Sequence, residues 1–83
     1  MTDKELIDLA SDSVKLVAKR WNVSPKDIMK KRNWNNSDPV CRAKADVMLD
    51  LLGNGCSKRH VAFIFGIEIS TVYRTIESHI KLL

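Results

Sequence analysis

Breaks in the helical pattern constrain this chain more than any other feature of it. Helix-stopping residues cluster at Asn22 to Pro25, Asn33 to Pro39, Gly53 to Ser57 and Gly66, cutting the 83 residues into five segments without repeats or low-complexity tracts. The first segment is the clearest. Thr2 and Glu5 have the spacing of a capping box, and Leu6, Ile7, Leu9, Ala10, Val14, Leu16, Val17, Ala18 and Trp21 recur at helical intervals, predicting one amphipathic helix over 3–21. Ser24 before Pro25 reads as an N-cap with proline at the first helical position, so a short helix over 25–31 carries Ile28 and Met29. The Asn-rich stretch 33–37 has no period and reads as a loop. Ser37 or Asp38 then caps a helix over 39–52. Its stripe of Val40, Ala43, Val47 and Leu51 is widened by Cys41, Ala45, Met48, Leu49 and Leu52, so more than one face meets a neighbour. Gly53 or Gly55 ends this helix in left-handed geometry.

Residues 57–83 are ambiguous by propensity. Val61 to Tyr73 is rich in β-branched and aromatic residues, which suits a hairpin about Gly66. Turn chemistry argues against it, because favoured hairpins want two central residues such as Asn-Gly, and here a single glycine sits between bulky apolar residues. Ser57 and Ser70 stand where two N-caps are needed, and Val72, Ile76, Ile80 and Leu83 continue at helical spacing. The expectation is helix, turn, helix over 57–82, within a compact all-α, five-helix domain.

Composition narrows the function. A chain of 9.4 kDa can bury roughly 60% of its unfolded surface, enough for one core and no second domain. With 6% aromatic residues that core is aliphatic, which disfavours a large cofactor pocket. Fourteen Lys and Arg against ten Asp and Glu leave a net charge of +4, a balance that favours polyanions as partners. Two cysteines and no leader pattern read as a reduced, cytoplasmic setting. No apolar run approaches the ~20 residues needed to span a bilayer.

The last two helices carry the functional pattern. A helix-turn-helix needs a small residue where its helices cross and a glycine in the turn, and Ala62 and Gly66 stand four apart as required. Val61, Phe65, Ile67, Val72 and Ile76 supply the flanking apolar positions. The second helix, starting near Ser70, then shows solvent Thr71, Tyr73 and Arg74. Arg74 suits bidentate pairing with guanine, and Thr71 and Tyr73 suit phosphate, base or thymine methyl. Lys58 and Arg59 open the preceding helix, where backbone N–H groups and two cations can hold a phosphate. Upstream, Lys26, Lys30, Lys31 and Arg32 against Asp27 make residues 24–37 locally +3. That basic loop suits a minor groove or a phosphate.

From Val17 to Leu83 the chain resembles the C-terminal DNA-binding domain of the replication initiator DnaA, which is similar in shape to the Trp repressor. The resemblance lies in Val17-Ala18-Lys19-Arg20-Trp21-Asn22-Val23-Ser24-Pro25, in the basic Lys26 to Arg32, in Arg42-Ala43-Lys44-Ala45, and in Phe65-Gly66 with Ser70-Thr71-Val72. It implies double-stranded DNA as partner, with Arg32 in the minor groove, Thr71 and its neighbours in the major groove, and Arg42 on phosphate or base. The chain departs from the family in the turn. Where the family carries Gly-Arg-Asp-His, Gly66-Ile67-Glu68-Ile69 stands, and two hydrogen-bonding side chains are isoleucines that cannot donate. No Gly-x4-Gly-Lys-Ser/Thr occurs, so an initiator motor is not expected. A free-standing domain of this kind suits regulation of replication or transcription, and its size suits a phage or mobile element. The start of the last helix, Ser-Thr-Val-Tyr-Arg, also resembles transposition-linked helix-turn-helix domains.

Other features point elsewhere with less force. Cys56 and His60, with Cys41 and His79, lack the paired close spacing of structural zinc, and buried thiols explain the cysteines better. His60 beside Arg59 suits phosphate or solvent, and His79 falls near the core seam. No catalytic residue, metal or cofactor is expected. Trp21 reads as core, and Trp34 as a cap on it. The acidic start of the first helix, Asp3, Glu5, Asp8 and Asp12, suits a protein-binding face. The rival reading is therefore an adaptor whose basic loop and helices bind an acidic protein.

Overall fold

The computed structural model describes residues 2–29 and 39–82. Among them five helices are formed, α1 (Asp3–Trp21), α2 (Pro25–Met29), α3 (Pro39–Gly53), α4 (Lys58–Phe65) and α5 (Ile69–Leu82), and no strand. The all-α class holds, and the hairpin alternative about Gly66 does not. The expected 25–31 helix is helical over Pro25–Met29, with Lys30 and Lys31 outside the described residues. The Asn-rich loop and Trp34 fall outside them as well. No helix of the described residues is long and apolar enough to cross a membrane.

α3 lies at the centre, packing against all four other helices. That position explains its composition. Cys41, Ala43, Ala45, Val47, Met48 and Leu51 are all buried, almost around the helix, as expected for an element with neighbours on several sides. α1 supplies Leu6, Ala10, Val14, Val17 and Ala18 to the same core, but its Ile7 and Leu16 face outward. Of the five apolar positions flanking the last turn, Val61, Phe65 and Val72 belong to the core and Ile67 and Ile76 pack against it.

Three helices end alike. After α1, Asn22 is left-handed (φ 53°), and the next amide, Val23, donates 3.0 Å back to the Ala18 carbonyl. After α3, Gly55 (φ 94°) is followed by Cys56, whose amide donates 3.1 Å to Leu51. After α4, Gly66 (φ 65°) is followed by Ile67, donating 3.0 Å to Ala62. Each is a left-handed residue, then an apolar one that folds onto the core, the arrangement that satisfies terminal carbonyls and aims the chain inward. Of the two candidate stops after α3, Gly55 is the left-handed one. Because a side chain at φ 65° is strained, Gly66→Ala should cost about 1 kcal/mol in a urea melt, and Asn22→Gly should cost nothing.

The N-termini diverge from expectation once. Thr2 caps α1, its hydroxyl accepting from the Glu5 amide at 3.2 Å, and Ser57 caps α4. Ser70 does not cap α5. The helix starts one residue earlier, with the Glu68 carbonyl already accepting from the Thr71 and Val72 amides, and the Ser70 hydroxyl makes a long 3.4 Å contact to the Glu68 carboxylate. The turn after Gly66 is too short to delay the helix to Ser70.

Candidate nucleic-acid interface

Two helix segments meet on one surface. At the start of α4, Ser57 and His60 form a reciprocal box in which the His60 amide donates to the Ser57 hydroxyl (3.2 Å) and the Ser57 amide donates to His60 Nδ1 (3.1 Å). His60, expected to face phosphate or solvent, is thus committed to the cap, and the amide it satisfies no longer seeks an anion. Lys58 and Arg59 project from the turn so fixed. The Lys58 ammonium lies 4.4 Å from the centre of the Tyr73 ring on α5. A cation over an exposed ring contributes roughly 0.5–1 kcal/mol, enough to bias where two flexible groups rest.

On α5, Tyr73 and Arg74 are exposed and Ser70 and Thr71 half-buried. The Thr71 carbonyl accepts from the buried Thr75 hydroxyl at 2.7 Å, a bond within the helix that leaves the Thr71 side chain uncommitted to it. The structure therefore brings together Lys58 and Tyr73, with Arg59 and Arg74 as their chain neighbours. Lys30, Lys31 and Arg32 lie outside the described residues. Arg42 is half-buried, its guanidinium 5.0 Å from the Trp21 ring, and its Nε has no hydrogen-bond partner.

Sequence reasoning missed a polar cluster that ties three helices together. Asp46 on α3 accepts from Trp21 Nε1 at 2.7 Å and from Arg20 at 3.1 Å, both through Oδ2, while His79 Nε2 of α5 stands 3.5 Å from Oδ1. Trp21 and His79 also meet edge to face, with ring centres 6.2 Å apart. Burial pushes the Asp46 carboxyl up, but the Trp21 and Arg20 hydrogen bonds and the charges of Arg20 and His79 outweigh it and hold it below the ordinary carboxylate value. Nothing in a single helix flags this group, because its partners Trp21, Arg20 and His79 lie 25, 26 and 33 residues away.

Both cysteines are buried and neither is in a disulfide, and burial pushes the Cys56 thiol up. Among the described residues no group of three or more His, Cys, Asp or Glu side chains converges as a metal site. No protein-family model matches the chain, and neither the curated proteins nor the solved structures offer a significant match.

Proposed function

We propose that this chain binds double-stranded DNA in a sequence-specific way and regulates replication or transcription, with α4 and α5 acting as a helix-turn-helix. The observation that carries this reading is the Lys58–Tyr73 contact, which joins the first turn of α4 to the exposed side of α5 in one basic, aromatic surface. Arg74 and Thr71 enter the major groove and read base edges, with Tyr73 beside them. Ser70, Lys58 and Arg59 hold the phosphates that set the helix in the groove. Lys30, Lys31 and Arg32 take the adjoining minor groove or its phosphates, and Arg42 a phosphate near Trp21, as the resemblance to the DnaA domain implies. The chemistry is recognition alone.

Titration of a labelled duplex against salt tests it. Neutralising phosphates releases counterions, so six cations in this role give a log–log slope of about −5 on random and selected duplex alike. An adaptor for acidic proteins would show little duplex affinity at any salt, and that result would overturn the proposal.

A further inference from the structure

We infer that a groove between α1, α2 and α4 is a docking site for an amphipathic helix of a partner protein, apolar along one side and acidic along its flanks. The groove encloses about 600 Å³. Buried Ala10 and Val14 form part of its lining, and Ile7, Met29 and Phe63 stand out into water at 57%, 40% and 63% exposure. Scattered exposed apolar side chains are ordinary, but three lining one concavity mark a binding site. Its charged lining residues are Lys15 and Lys26, with no acid among the groove residues, on a chain of net charge +4. An acidic flank therefore gains attraction on docking.

The shape selects the occupant. The two longer walls, α1 and α4, are helices whose interior backbone groups are spent internally, so no strand can be added along them, and recognition there must come through side chains. That is how an amphipathic helix seats its anchors in a groove. A bilayer surface is flat and would not fill a concavity. Outside the groove a second copy exposes Leu16 on α1 and Ile69, Tyr73 and Ile80 on α5, but the α5 stripe carries Arg74 and the Lys58 that rests on Tyr73, cations that would meet Lys15 and Lys26. The site is also separate from the α4–α5 side of the DNA-reading surface. Lys58 turns toward α5, while Phe63 and Ile64, five and six positions on, line the groove.

The probe is a fluorescein-labelled helical peptide with leucines at i, i+3, i+4 and i+7 and glutamates between them, compared by anisotropy with a twin carrying lysines instead. The glutamate peptide should bind at least about tenfold more tightly, an electrostatic preference typical of matched rims. Phe63→Ser should remove that binding while leaving the melting curve and duplex affinity unchanged. Joint Lys15→Glu and Lys26→Glu should reverse the preference between peptides. Equal affinity for both peptides, or indifference to Phe63→Ser, overturns the inference. So does concentration-dependent dimerisation abolished by Phe63→Ser without peptide binding, which gives the groove to a second copy. Binding to phosphatidylglycerol vesicles in place of peptide gives it to a membrane and overturns it equally. Loss of duplex binding in the unaltered protein would sink the DNA reading and leave this one standing.

Discussion

Arg74→Ala should lose about 1–3 kcal/mol of affinity on the preferred duplex and relax sequence choice at one position, while affinity for random duplex changes little. The reasoning is geometric. Arg74 is exposed, follows the Tyr73 that Lys58 covers, and stands in the second turn of α5. A guanidinium there presents a planar fork that pairs with two acceptors of guanine, and a truncated side chain leaves those acceptors unpaired. Lys31→Ala and Arg59→Ala should behave oppositely, weakening all duplexes almost equally and flattening the salt slope by about one each. Quantitative footprinting on a site selected from a random library separates the two patterns. Were Arg74→Ala to lower random and selected affinity together, Arg74 would be a phosphate contact and the base-reading role would pass to another residue of α5.

How far the sequence discloses this molecule depends on the range of the interaction. Thr2 with Glu5, Ser24 with Pro25, and Ser57 are capping signals within four residues, and the helices begin where they say. The left-handed stops at Asn22 and Gly66 are equally local. Ser70 misleads because a serine before an apolar run looks like a cap wherever it stands, and only the length of the Gly66 turn decides that α5 has already begun. Ile7 and Leu16 share the apolar composition of α1 yet face water, since the period of a helix marks a stripe but not its width. The site is legible in part for the same reason. Lys58 and Tyr73 are each readable as surface residues of neighbouring helices, whereas their contact is a tertiary fact. The Asp46 cluster was invisible because an acid between Ala45 and Val47 looks like a solvent-facing position of an amphipathic helix.

That cluster carries the largest expected effect on stability. Asp46→Ala should cost about 2–3 kcal/mol, because it strips the acceptor from Trp21 Nε1 and the polar group that faces buried His79, and unpaired polar groups at a helix seam cost more than the bonds they made. Asp46→Asn should cost less, since an amide oxygen still accepts from Trp21. Arg20→Ala should cost under about 1 kcal/mol, because its guanidinium end of the pair is largely in water. The pH dependence follows from the direction of the Asp46 shift. A carboxyl held below its unfolded value, about 3.9, stabilises the fold at every pH above that value, and the contribution disappears as pH falls through the lower folded value. The unaltered protein should therefore lose urea resistance below about pH 4 more steeply than Asp46→Asn, which has no proton to take up there. Parallel acid limbs in the two proteins would show that Asp46 is not held by Trp21 and Arg20. With α1, α3 and α5 joined only by apolar packing in that case, Asp46→Ala would melt with the unaltered chain.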